Sequence, residues 1–206
     1  LLHVQEGGKT EVFPWDLAHG GSATAMAFDS ERDGVWLARP RGDLEFFQRG
    51  AVTERYLNGH ENFQNPRDLS VSQDGTVWLS SDAGVTRLRG GQMSTLSGRN
   101  GLPCDEVHWF KYDDQHSIWL NTACGLVRLA PGELDRWSKD PTVQVSITAY
   151  LDTFEGAENL VIGEYYSPQV VDTPDGRLAF VTENGLAVLD PHQDFTNHQV
   201  PPVHIS

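Results

Sequence analysis

Four stretches of this chain share one frame, and the frame constrains the fold more than any other feature. Asp33-Gly34-Val35-Trp36-Leu37 is followed by Gly42, and Asp74-Gly75-Thr76-Val77-Trp78-Leu79 by Gly84. Ser117-Ile118-Trp119-Leu120 is followed by Gly125, and Asp175-Gly176-Arg177-Leu178-Ala179-Phe180 by Gly185. The Gly lies six residues after the Trp position in every copy, although Ala179 stands in for Trp in the last. Successive copies are offset by 42, 41 and 60 residues.

Each element has a physical reason. Asp-Gly is the residue pair of a two-residue hairpin turn, because both residues tolerate positive φ. The stretch after it, as in Thr76-Val77-Trp78-Leu79, is rich in β-formers and suits an inner strand. The later Gly marks the next tight turn. Another strand follows it, as in Val85-Thr86-Arg87-Leu88 or Leu126-Val127-Arg128-Leu129. Gly90-Gly91 then leads into Gln92-Met93-Ser94-Thr95-Leu96. One more strand precedes each Asp-Gly, such as Asp68-Leu69-Ser70-Val71 or Glu106-Val107-His108-Trp109-Phe110. Four short strands in about forty residues is the size of one β-propeller blade. Helical periodicity is nearly absent beyond one turn near Pro131-Gly132-Glu133-Leu134.

The predicted fold class is therefore all-β: a β-propeller segment of about four blades plus a partial N-terminal blade, an incomplete ring from a larger propeller. The partial blade covers 1–15 and blades follow at about 22–58, 66–98, 105–138 and 167–198. The long offset places an insertion at 139–163, in which Val143 to Ile147 alternates like a strand. Residues 199–206 read as a linker or the start of a following domain. A β-sandwich would need the fixed Trp-to-Gly spacing to arise by accident, and a solenoid would need a shorter period.

Asp74 to Leu88, Trp119 to Leu129 and the linker Arg99-Asn100-Gly101-Leu102-Pro103 resemble the two-component regulator propeller repeat. The tail, from Ser167-Pro168 through Gly185-Leu186-Ala187-Val188-Leu189-Asp190-Pro191 to Pro201-Pro202-Val203-His204-Ile205, resembles that family's last blade. The resemblance runs from about residue 22 to 206. It departs from the pattern at Asp43-Leu44-Glu45-Phe46-Phe47 and at Ala179. It implies an extracytoplasmic, periplasmic sensor propeller. An immunoglobulin-like three-tyrosine domain and covalently linked downstream signalling domains would follow. It does not fix the ligand, expected to be a small-molecule or carbohydrate signal of unknown identity, and it allows a homodimer.

Charge narrows the partners. A formal net charge of −14 and a pI near 4.8 argue against nucleic acid, whose binding needs Lys and Arg on phosphates. They also disfavour anionic lipid. No run approaches the roughly 18 apolar residues of a membrane span, so direct insertion by this segment is not expected. Leu1-Leu2-His3-Val4 is too short for a signal peptide and lacks a basic flank, although a segment cut from a longer precursor could still be exported.

Chemistry-bearing motifs are sparse. The eight histidines form no metal-ligand pairs, and no nucleophile elbow, phosphate loop or dinucleotide fingerprint occurs. Catalytic residues, metal and cofactor are accordingly expected to be none, and the chain is read as a non-enzyme. The alternatives are a propeller lyase or hydrolase and a passive interaction scaffold. The candidate ligand contacts are Arg67, Arg99, Asp105 and His108, at or beside loops that enter innermost strands. Trp36, Trp78 and Trp119, with Gly42, Gly84, Gly125 and Gly185, are read as structural anchors. Cys104 falls in an entering loop and Cys124 in the second turn of the same blade. That placement permits a disulfide but does not require one; two buried thiols are the alternative.

Overall fold

Alternation decides where these strands sit. Along each one, successive side chains point to opposite faces of the sheet. In most strands here both faces are apolar, so each sheet must be covered on two sides. The computed structural model describes residues 2–4, 10–12, 22–40, 43–56, 65–151, 168–182 and 185–193. It contains four antiparallel sheets in chain order. The first is β3 (Ala25–Asp29), β4 (Gly34–Ala38), β5 (Leu44–Gln48) and β6 (Ala51–Tyr56). The second is β7 (Asp68–Val71), β8 (Val77–Ser81), β9 (Gly84–Arg89) and β10 (Gln92–Leu96). The third is β11 (Val107–Tyr112), β12 (Ile118–Thr122), β13 (Gly125–Leu129) and β14 (Ile147–Leu151). The fourth is β15 (Val170–Asp172), β16 (Leu178–Thr182) and β17 (Gly185–Leu189). A separate two-stranded ladder pairs β1 (Leu2–Val4) with β2 (Thr10–Val12).

Three apolar clusters join consecutive sheets. Trp36, Ala38, Leu44 and Phe46 of the first sheet pack on Leu69, Val77, Leu79 and Leu88 of the second. Trp78, Val85 and Leu96 of the second meet Phe110, Leu120 and Val127 of the third. Trp109, Trp119 and Leu126 of the third meet Leu178, Phe180 and Leu189 of the fourth. The arrangement is propeller-like, and no closed ring forms among the described residues.

The registers place the four repeat anchors alike. Trp36, Trp78, Trp119 and Ala179 each sit on the second strand, opposite a residue of the first and a residue of the third. In the first three sheets the Trp lies on the face presented to the next sheet, and its indole N–H is satisfied locally. Trp36 donates to Asp29 (3.2 Å), Trp78 to Ser72 (2.9 Å) and Trp119 to Asp113 (3.1 Å). Ala179 occupies that place in the fourth sheet, and its face carries the exposed Val171, Leu186 and Val188. The residue that packs on the next sheet is thus missing where no further sheet follows among the described residues.

Two details differ from the sequence reading. The Asp-Gly reversals are not two-residue turns. Ser72 N–H donates to Thr76 O, and Gly75 N–H donates to Ser72 O, which leaves three residues between the last paired positions. Gly75 and Gly176 take positive φ while Asp74 and Asp175 do not. This is the pattern of a turn followed by one left-handed residue. His116 supplies that conformation in the third sheet, where no Gly is available. Second, the third blade does not end at 138. Its outer strand is β14, within the stretch read as an insertion, and Val143 to Ser146 precede that strand. The helix α1 (Glu133–Lys139) stands between β13 and β14, burying Leu134 and Trp137 against Leu96, Leu102 and Val145.

Gly84 and Gly125 open the third strands at φ +122° and +133°. A Cβ on Gly84 would lie 2.0 Å from Leu96 O, so only glycine fits there. In the first sheet the corresponding reversal is flanked by a backbone bond in which Arg39 N–H donates to Asp43 O. Gly42 itself lies outside the described residues.

Candidate functional site

The loops that enter β7 and β11 share one rim with the 82–83 and 123–124 reversals, because alternate strand ends of an antiparallel sheet lie on one side. Arg67, just before β7, reaches two carboxylates. Its guanidinium lies 3.1 Å from Asp82 and 2.5 Å from Glu106, with its side chain 13% exposed. Asn65 also donates to Asp82, at 2.6 Å. Glu106 belongs to the third sheet, so Arg67 ties neighbouring sheets together. His108 Nε2 stands 3.8 Å from the same Glu106 oxygen, and the backbone carbonyl of His108 accepts from Ser80 Oγ at 2.9 Å. His108 is buried.

Outward from Asp82 a cavity of about 570 Å³ opens between the second and third sheets. Asp82, Thr95, Ser97, Arg99, Asp105 and Thr142 are among its walls. Its scaffold is well tied. Ser97 caps a 3-10 turn over Gly98–Asn100, and Asn100 reciprocates by accepting from Ser97 N–H. Asn100 Nδ2 donates to Pro141 O (2.8 Å) and Val143 O (3.0 Å), while Val145 N–H donates to Asn100 O (2.8 Å). Gln144 Nε2 donates to Arg99 O at 2.7 Å. The Asp105 carboxylate accepts from Gly98 N–H at 2.6 Å, closing the loop on itself. Cys104 and Cys124 are disulfide-bonded with Cα atoms 6.1 Å apart, which fixes the entering loop to the β12–β13 reversal.

The four candidate contacts therefore fall into two groups. Arg99 and Asp105 line the cavity, and Arg67 reaches it through Asp82. His108 does not line it; burial and Glu106 hold it on the inner strand. Sequence reasoning missed Asp82 and the 140–146 segment. Asp82 carried a usable signal, since it sits in the repeat's second reversal, at the rim of the entering loops. No group of three or more His, Cys, Asp or Glu among the described residues is placed to hold a metal ion. No helix among them is long and apolar enough to cross a membrane.

No family model and no curated protein matches the chain. Solved structures share its fold. The extracellular domain of the hybrid two component system BT3049 from B. thetaiotaomicron aligns with 96% of this chain at 19% identity and TM-score 0.66. The corresponding domain of BT4673 from the same organism aligns with 92% at 19% identity and TM-score 0.58. The chain spans 26% and 23% of those two chains. A catalytically inactive virginiamycin B lyase from Staphylococcus aureus, solved with quinupristin, aligns with 83% of this chain and 56% of its own at 16% identity and TM-score 0.52.

Proposed function

We propose that this chain is an extracytoplasmic ligand-sensing propeller module of a two-component-type signalling protein, and that the rim cavity receives its small-molecule or carbohydrate signal. The observation that carries the reading is the cavity wall. Thr95, Ser97 and Thr142, the carboxylate residues Asp82 and Asp105, and the cationic Arg99 line it together. A set of donors, acceptors and one cation suits a hydroxylated, polar ligand, and the volume lies in the ordinary range of ligand clefts. The tie between 97–105 and 140–146 gives binding a means of shifting a coupled element, since a ligand touching both segments favours their closed arrangement. The higher TM-scores with two-component extracellular domains than with the lyase support the sensor over the enzyme. Attachment to downstream domains, and the blade boundaries beyond the four sheets, belong to the same proposal.

Differential scanning fluorimetry with a panel of neutral and acidic mono- and disaccharides tests it. A ligand at a hundred times its Kd adds about 2.7 kcal/mol of stability, enough to move the melting temperature by several degrees. The shift should vanish in Arg99→Ala and Asp82→Ala. A shift that survives both substitutions would place the ligand elsewhere.

A further inference from the structure

We propose that a second cavity, between the inner halves of the second and third sheets, binds an organic ammonium ion. The cavity has a volume of about 460 Å³ and is bounded on its far side by Val170 and Asp172 of β15. Its chemistry differs from that of the rim. Trp78, Phe110 and Tyr112 form an aromatic wall, with the first two rings 6.2 Å apart between centroids and inclined at 59°. The Trp78 indole N–H is already committed to Ser72, so the ring offers its π surface rather than a donor. Tyr112 is 46% exposed, which leaves the wall reachable from solvent.

The polar side of the cavity has a charge deficit. Lys111 Nζ lies 2.8 Å from Asp172 and is matched by it. That leaves Asp68, whose carboxylate accepts one hydrogen bond among the described residues, from Leu69 N–H at 3.0 Å. Two carboxylates thus face one ammonium, and the second carboxylate oxygen of Asp68 is unpartnered. Burial pushes the Asp68 carboxyl up, with the Leu69 N–H and the Lys111 charge only partly opposing it. A desolvated carboxylate beside aromatic faces is the environment that favours a cation with an apolar body. The carboxylate supplies charge, and the ring quadrupoles supply attraction that needs no hydrogen bond. A hydrated inorganic ion would gain nothing from the aromatic wall. The site shares none of the cavity residues of the rim, and its occupancy is independent of the reading given above.

Isothermal titration calorimetry on the chain at constant ionic strength tests the assignment with choline, 1,4-diaminobutane and the uncharged choline isostere 3,3-dimethyl-1-butanol. At least one of the two cations should bind saturably at one site, about tenfold or more tighter than the isostere. Asp68→Asn should weaken that cation about tenfold and leave the isostere unchanged. Tyr112→Leu, at a half-exposed position that tolerates substitution, should weaken the cation two- to fivefold. Leu186→Ala, at an exposed position of the fourth sheet outside both cavities, should change nothing. Absence of saturable binding by both cations, equal affinity for cation and isostere, or indifference to both Asp68→Asn and Tyr112→Leu would overturn the proposal.

Discussion

Trp119→Ala measures what the repeat contributes to the fold. Trp119 is fully buried between the third and fourth sheets, beside Leu126, Leu178 and Phe180. Truncating a buried Trp costs about 3–5 kcal/mol in lost burial and residual cavity. The indole also donates to Asp113, and the Arg128 guanidinium lies 5.4 Å over its ring. Losing the Asp113 bond adds little. That carboxylate keeps the N–H groups of Gln115 and Ser117 and its ion pair with Arg128 at 3.0 Å. The expected loss is about 4 kcal/mol, a large share of the 5–15 kcal/mol that holds an ordinary domain. Urea denaturation followed by far-ultraviolet circular dichroism reads it. Leu186→Ala is the control, since Leu186 is 69% exposed on the open face of the fourth sheet and should change stability by less than about 0.5 kcal/mol. A Trp119→Ala loss below about 1.5 kcal/mol, or equal losses in the two variants, would refute the inter-sheet role of the anchor.

Three further outcomes follow from the same geometry. The disulfide closes a 20-residue separation, so the Cys104→Ser/Cys124→Ser double variant should lose about 3 kcal/mol in the chain-entropy account; urea midpoints of the two proteins check this, and an unchanged midpoint would contradict it. Asp68 has a raised carboxyl pKa because burial disfavours its charged form. The folded state therefore holds that proton more tightly than the unfolded chain does. This contribution to stability is fully present below the unfolded pKa and is lost as pH rises through the folded one. Asp68→Asn should consequently raise the melting temperature at pH 7 and have less effect at pH 3, and a lowered melting temperature at pH 7 would count against it. Glu45 is fully buried and accepts from Arg39 and Arg55, at 2.8 Å to each Nε. Glu45→Ala removes the buried carboxylate that the Arg39 and Arg55 guanidinium groups share and should cost about 3–5 kcal/mol, measured by urea denaturation, with a loss under about 1 kcal/mol as the contrary result.

The sheets were legible wherever a turn residue and an apolar alternation coincided. Asp74-Gly75 and Gly84 mark the reversals on either side of the strand that carries Trp78, and each mark has a local physical cause. The outer strand of the third sheet was not legible, because a helix and a loop separate it from β13, the strand it pairs with. The single helical turn expected near Pro131-Gly132-Glu133-Leu134 extends into a seven-residue helix, Glu133–Lys139, that precedes the strand Ile147–Leu151. The Asp-Gly turns were misjudged by one residue, since Asp-Gly suits both a two-residue turn and the end of a three-residue one. For the site, Arg67, Arg99 and Asp105 could be placed at the rim by counting strands. The cavity they frame could not, because its far wall depends on Asn100 reaching Pro141 and Val143 across some forty residues. The departure at Glu45 was visible as a break in the pattern, and its cause, a buried carboxylate between two arginines, is a long-range fact.

Hydrogen exchange at the rim tests the sensing account most directly. Gly98 N–H is held by the Asp105 carboxylate and Val145 N–H by Asn100 O. The first amide reports the closure of the 97–105 loop on itself, and the second its closure on the 140–146 segment. Exchange is followed by mass spectrometry with and without the saccharide that gives the largest thermal shift. The account predicts slower exchange in peptides covering 97–105 and 140–146, and no such slowing in Arg99→Ala. Protection confined to the exposed apolar face of Val171, Leu186 and Val188, with the rim unchanged, would contradict it.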